Sequence, residues 1–208
     1  MPIEFWTWNT PNGRKISVAL EEMGLAYDVH TVNISKREQF EPAFLKISPN
    51  NRIPAIVDPE GPGGAPLSVF ESGAILLYLG EKTGKFLPTD LRRRVPVYEW
   101  LNWQMGGFGP MPGQVHHFLQ VENEQDRRYG LERYSKETRR LYGVLDKRLG
   151  VADYVAGDVS IADFAILGWA WRHERHQVDF AEFPNVARWY RQMMARPATA
   201  RGFEVALS

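Results

Sequence analysis

The 208-residue sequence has no cysteine, no surplus of charge of either sign and no long apolar run. Each lack removes a class of function. Without cysteine there are no disulfides, no thiolate metal sites and no protein thiol nucleophile, so any sulfur chemistry must arrive with a ligand. The 25 basic and 25 acidic residues cancel, which argues against a nucleic-acid partner, because phosphate binding needs a basic surplus or a strong patch. Arg92-Arg93-Arg94 is a small patch, read as a solvated helix start or a subunit contact. The longest stretch free of Asp, Glu, Lys and Arg, Trp100 to Val121, is broken by Gly, Pro, Gln and His, so no membrane span is expected. Glu4 and a strand-like run follow Met1 without a basic and then apolar leader, and the expected compartment is the cytoplasm.

What is present is a β then α pattern. Ile3 to Thr7 suits a short strand, and the turn Thr10-Pro11-Asn12-Gly13 leads into a helix with Ile16, Ala19, Leu20 and Met23 at helical spacing, stopped by Gly24. Further strands are expected over Tyr27–Val32, Ile53–Val57 and Leu67–Phe70, with a short helix over Glu41–Lys46. Glu71–Thr83 reads as a strong helix with Ser72 as N-cap and Gly84 as its end. The segment from Gly84 to Asp90 breaks this pattern with Gly and Pro, and nearly everything after it has helical spacing. The expected organisation is therefore one α/β domain over 1–84, a linker over 85–90 and an all-helical domain over 91–208.

In the second part, Leu91–Met105 reads as a helix bent at Pro96, interrupted or kinked by the Gly/Pro run from Gly106 to Gly113. Glu124–Leu149 carries a core-facing stripe that includes Leu131, Tyr134, Thr138, Leu141, Tyr142 and Leu145. Ser160 and Asp163 form an acidic capping box, so Asp163 is read as a structural helix-start carboxylate and not a catalytic one. Pro184–Arg196 supplies another helix, stopped by Pro197, and the tail carries no clear signal. His116 and His117 are adjacent and point to different faces, with no further ligand at metal-like spacing, so no metal is expected. Trp100 and Trp103 are read as core or interface.

Three features of the first part could converge on one ligand. The helix after Thr10 and Asn12 presents free amides and the positive end of its dipole, a place where a thiolate is stabilised, although plain capping explains the same residues. Ile53 precedes Pro54 and is biased toward extended backbone; a cis bond there would offer its main chain to a peptide. Glu71 and Ser72 could receive the ammonium and carboxylate of an α-amino acid, although a helix-start acid and a cap explain them as well.

The runs NNRIPAIVD (Asn50–Asp58), FESGAILLYL (Phe70–Leu79) and SIADFA (Ser160–Ala165) resemble those of cytosolic glutathione S-transferases. More narrowly, TPNGRK from Thr10, ISPNNRIPAIVD from Ile47 and GGFGPMPGQVHHF from Gly106 are similar to the bacterial Nu class, whose members resemble the yeast prion nitrogen regulator. The resemblance implies a thioredoxin-like α/β domain, an all-α domain and a homodimer. It implies glutathione as co-substrate, with Thr10 and Asn12 near its sulfur, Ile53 pairing with its cysteinyl unit and Glu71 with Ser72 at its γ-glutamyl end. Gln39, Arg52 and Arg133 are further polar candidates, Arg133 for a second glutathione. None of the tyrosine, serine or cysteine of other glutathione transferases stands in the turn, which counts against conjugation to a small electrophile. The class that the chain resembles is associated with glutathione-dependent disulfide-bond reduction, and the resemblance therefore implies reduction of a small disulfide ahead of conjugation. The resemblance to the regulator also permits a non-catalytic glutathione-binding role.

Overall fold

A computed structural model describes residues 1–207, which divide into two compact units: 1–87 with 195–207, and 88–194.

In the first unit, strand β1 (Ile3–Thr7) alternates buried and half-buried residues, the period-two signature of a strand covered more heavily on one face. It lies inside a four-stranded mixed sheet of order β2-β1-β3-β4, with β2 at Tyr27–Thr31, β3 at Ala55–Asp58 and β4 at Leu67–Phe70. β1 runs parallel to β2 and antiparallel to β3, and β4 runs antiparallel to β3. Helix α1 (Pro11–Met23) joins the parallel pair, as that pairing requires. Ile16, Ala19, Leu20 and Met23 are buried as the spacing predicts, and Gly24 ends the helix at φ 71° in the left-handed region that glycine tolerates. The short α2 (Pro42–Leu45) buries Phe44, and α3 (Ser72–Thr83) buries Ile75, Leu76 and Leu79.

Three expectations change here. The third strand starts at Ala55, not Ile53, because Pro54 has no N–H to give a ladder. Ser72 is the first residue of α3, and the N-cap is Glu71 at φ 70°, ψ 117°. The tail is a helix: α9 (Pro197–Glu204) opens on Pro197, a residue that suits a first helical position as well as a stop. It packs along α1 so closely that a methyl on Gly202 would sit 2.7 Å from Val18 Cα. Gly202 O accepts from Ser17 Oγ at 2.8 Å and from Arg14 at 3.2 Å, and Arg196 binds Glu22 through two nitrogens at 2.8 and 2.6 Å. Residues 195–207 thus belong with the α/β unit by their contacts, although the expected helical domain over 91–208 included them.

The second unit is helical. α4 (Leu91–Trp103) carries Pro96 inside it and passes into a wider turn at Gln104–Phe108, so the glycine-rich run changes the helix pitch before α5 (Pro110–Phe118) begins. α6 (Glu124–Leu149) has the predicted bounds and buries Thr138, Leu141, Tyr142 and Leu145; Leu131 and Tyr134 are half-buried. α7 (Ile161–Ala170) is almost wholly buried, and α8 (Pro184–Met194) contributes Val186, Trp189 and Met193. Asp163 acts structurally, as its spacing indicates. It accepts from Ser160 N at 3.0 Å and Oγ at 3.1 Å, Val155 N at 3.1 Å and Trp189 Nε1 at 3.0 Å. Burial still pushes its carboxyl up to about 6 against the pull of those donors. Trp100 and Trp103 meet edge to face at 5.1 Å, and Trp103 stacks on the buried Phe108.

Candidate active site

Strand register collects the candidate residues of the first unit. Trp6 pairs with Ala55, and Ala55 pairs with Phe70 across the next strand. The chain therefore leaves β1 toward Thr10, enters β3 from Ile53-Pro54 and leaves β4 into Glu71 at one end of the sheet. Thr10 is the N-cap of α1, with extended φ −132° and an Oγ that accepts from Gly13 N at 3.1 Å. The capping explanation of Thr10 is thus realised. It leaves the hydroxyl proton for another acceptor, because a threonine oxygen accepts and donates at once. Asn12 follows at the second helical position, half-buried. The turn is tight: a methyl on Gly13 would lie 2.4 Å from Trp8 O and 2.5 Å from Thr7 Oγ1.

The Ile53-Pro54 bond is cis. Ile53 packs beside Trp6 and Ile47 on the buried cluster of Val32, Phe44 and Ala55, while Trp6 stacks on His30 at 4.4 Å. Arg52 is exposed, and its carbonyl accepts from Ser48 Oγ at 2.8 Å. Gln39 lies in a short 3-10 turn, half-buried, and its Oε1 is buried without a hydrogen-bond partner. Such an oxygen suits a donor supplied by a ligand.

Glu71 takes a positive φ that a non-glycine residue adopts at a cost, a kind of strain that gathers at functional sites. Its carboxylate is exposed and accepts from Asn50 Nδ2 at 3.2 Å, but makes no capping bond to the helix that it opens. Ser72, 4% exposed, receives a hydrogen bond from Lys15 Nζ at 3.2 Å. An acid, a hydroxyl and the first turn of α3 form a surface matched to an ammonium and a carboxylate on one carbon. Asn50 and Lys15 contact these two candidates without a motif that points to either, although Lys15 stands four residues before Ala19 on the buried face of α1, an odd place for a cation.

Arg133 lies in the second unit, exposed on α6, with its guanidinium 5.9 Å from the Tyr134 ring centre. It lines a cavity of about 620 Å³ with Lys136, Arg140, Met111 and Tyr129 among its neighbours. Two glutamates, Glu132 and Glu137, offset part of the positive charge, and Glu137 binds Arg140 through both carboxylate oxygens at 2.7 Å.

The adjacent histidines divide as expected. His117 is exposed, whereas His116 is half-buried and stacks on His176 at 4.8 Å. Burial first, then the charges of Arg175 and Arg172, lowers the His116 pKa to about 4. Among the described residues no group of three or more His, Asp or Glu could hold a metal, and no helix is long and apolar enough to cross a membrane.

Residues 1–81 match the glutathione S-transferase N-terminal domain and residues 110–197 the C-terminal domain, and the chain belongs to the glutathione S-transferase family. Its fold is accordingly the thioredoxin-like α/β domain with a helical partner that the family defines. Within the family, it is 49% identical to the disulfide-bond oxidoreductase YfcG of Escherichia coli (strain K12), over 96% of this chain and 93% of that one. A glutathione transferase from Pseudomonas putida, crystallised with one glutathione disulfide per subunit, superposes with a TM-score of 0.91 at 43% identity, over 98% of this chain and 91% of that one. Another from Burkholderia graminis, with two glutathione molecules per subunit, gives 0.91 at 42%, over 98% and 88%.

Proposed function

We propose that this chain is a glutathione-dependent disulfide reductase that uses glutathione thiols in place of a protein cysteine. The observation that carries this reading is the gathering of Thr10, Ile53 and Glu71-Ser72 at one end of the sheet in a chain without cysteine. Its similarity to a disulfide-bond oxidoreductase, and to transferases crystallised with glutathione or its disulfide, supports the same reading.

Each part of the tripeptide has a counterpart. Glu71 attracts the ammonium, while Ser72 and the first turn of α3 attract the carboxylate. The Ile53 main chain pairs with the cysteinyl unit, and Gln39 and Arg52 supply polar contacts. Thr10 donates its hydroxyl proton to the sulfur, assisted by Asn12 and the dipole of α1. A free thiol has a pKa of about 8.5, and hydrogen bonds to the charged form lower it, at about 1.4 kcal/mol per unit. The thiolate displaces one sulfur of the substrate disulfide as a thiolate, which takes up a proton. A second glutathione then attacks the mixed disulfide, so that two glutathiones are oxidised to glutathione disulfide while the substrate leaves as two thiols. Arg133, exposed at a cavity with Lys136 and Arg140, is the group we assign to a carboxylate of that second glutathione.

A homodimer accords with Leu67 and Phe70, large apolar residues each 37% exposed on the edge strand β4, where a partner would cover them. The cytoplasm is the proposed compartment, since the reaction draws on a pool of reduced glutathione.

Reduction of a small disulfide by glutathione, measured beside conjugation to a chlorinated nitrobenzene, tests the assignment. Reduction should be the faster reaction; conjugation clearly ahead would make the chain a conjugating transferase. Loss of neither activity on Thr10→Ala and Asn12→Ala would remove the proposed sulfur site.

A further inference from the structure

Lys15 is a lysine in a place where lysines are rarely found. It is 1% exposed on α1, against the first turn of α3, with Nζ 3.2 Å from Ser72 Oγ. Around it, Arg14 holds Asn9 Oδ1 at 3.0 Å and Val205 O at 2.9 Å. From α9, Arg196 and Arg201 bind Glu22 and Glu21 toward the other end of α1. On α3, Lys82 pairs with Asp58 at 2.7 Å, while the Glu71 carboxylate favours the charged form of Lys15. Burial lowers the Lys15 pKa to about 7, against the opposing pull of Glu71. A neutral amine and an ammonium are therefore both accessible near neutral pH.

We propose that Lys15 is the positioning residue for the γ-glutamyl carboxylate, its buried ammonium held against Ser72, and that a proton enters the protein when glutathione binds. This rests on the assignment of Glu71 and Ser72 to the amino-acid end of glutathione. A carboxylate seated on Ser72 and the first amides of α3 lies beside Nζ, and a close opposite charge favours the charged form by about 1 to 3 pK units. Linkage makes the effect reciprocal: the proton tightens the ligand by the factor by which the ligand tightens the proton. A lysine titrating near 7 when free and about two units higher when bound weakens binding about tenfold from pH 6 to pH 8. It takes up about half a proton per ligand at pH 7 and about 0.8 at pH 8. Thr10 and Asn12 serve the sulfur, and Lys15 would serve the far end of the same molecule. The sulfur pulls the other way, because a thiol releases its proton on binding while Lys15 gains one.

S-methylglutathione, whose sulfur cannot ionise, isolates the lysine. Titration calorimetry of the full chain with this probe, at pH 6, 7 and 8 in buffers of different ionisation enthalpy, counts the protons. The expected result is uptake that grows with pH in the wild type and is absent in Lys15→Met and Lys15→Arg. Lys15→Arg should keep the wild-type affinity of pH 6 across the range, while Lys15→Met binds at least tenfold more weakly than the wild type at pH 6. Should Lys15→Met not fold, carbon NMR of lysine-labelled wild type replaces it: one lysine must titrate near pH 7 and move upward with the probe. Tight binding without proton uptake, or uptake that survives both substitutions, overturns the role of Lys15. Absence of binding at every pH removes the glutathione site itself, a different failure with a different signature.

Discussion

Thr10 has one observed role and one proposed role, which a single substitution can separate. As N-cap its oxygen accepts from Gly13 N, and as a proposed donor its proton faces the glutathione sulfur. Thr10→Ala removes both. Loss of the cap should cost about 1 kcal/mol of stability, a drop in Tm of about 2 to 4 °C for a chain of this size. Loss of a hydrogen bond to a charged acceptor is worth about 1.5 to 3 kcal/mol, which raises the pKa of the bound thiol by about one to two units. Thr10→Asp should dissociate the two effects. Aspartate caps as well as threonine and suits the positive end of α1, so stability should stay within about 0.5 kcal/mol. Its charge, however, repels a thiolate. At about 4 Å and an effective dielectric of about 20 the repulsion is about 4 kcal/mol. Thr10 is half-buried, so solvent reduces that figure, and a rise of about one to two pKa units is expected. Ultraviolet absorbance of the bound thiolate against pH gives the pKa, and urea denaturation gives the stability. An unchanged thiol pKa in Thr10→Asp, with glutathione still bound, would refute the donor role and leave Thr10 as a cap alone.

Gly13→Ala drives a methyl against Trp8 O and Thr7 Oγ1, and should cost about 1 to 3 kcal/mol with a matching fall in thermal midpoint. Asp163→Ala deprives two backbone amides, the Ser160 hydroxyl and the Trp189 indole of one shared buried acceptor; a loss of about 3 to 5 kcal/mol is expected in urea denaturation. Stability should also fall as pH drops from 6.5 toward 4, because the unfolded chain protonates His116 near 6.5 while the folded one holds it neutral down to about 4. His176, buried to 1% exposure and lowered to about 2, acts in the same direction, and Asp163, raised to about 6, opposes both by binding a proton in the folded state. His116→Phe should flatten that slope by up to about 1.4 kcal/mol per pH unit, read from denaturation at stepped pH; an unaltered slope would contradict the assignment.

Local patterns are legible in the sequence where one element sets its own limits. β1, β4 and α6 have the bounds that alternation and helical spacing predict, because apolar period and turn residues coincide there. Ser72 looks like a cap in the sequence because nothing in Phe70-Glu71-Ser72 announces that Glu71 takes a positive φ. Pro197 has the look of a stop, but the same residue opens α9, so the pattern of the sequence hides the helix that covers α1. The positions of Thr10, Ile53 and Glu71 at one end of the sheet follow from strand register, which depends on pairings between distant segments. Lys15 was hidden because a cation inside an apolar stripe looks like a break in the pattern until its partner is seen fifty-seven residues away. The stack of His116 on His176 is of the same kind, since neither residue signals the other.

The clasp between Gly202 and α1 has a consequence for how the protein is made. α1 carries the turn proposed to hold the glutathione sulfur, yet the carbonyl that receives Arg14 and Ser17 lies 188 and 185 residues farther along the chain. On a ribosome the sheet and α1 emerge first, but α9, which packs on α1, is made only after the whole of segment 88–194. The α/β unit cannot close while the helical unit is being synthesised, and the surface reserved for α9 waits uncovered through most of translation. Emergence of α9 would therefore set the moment at which the turn proposed to hold the sulfur acquires its final support.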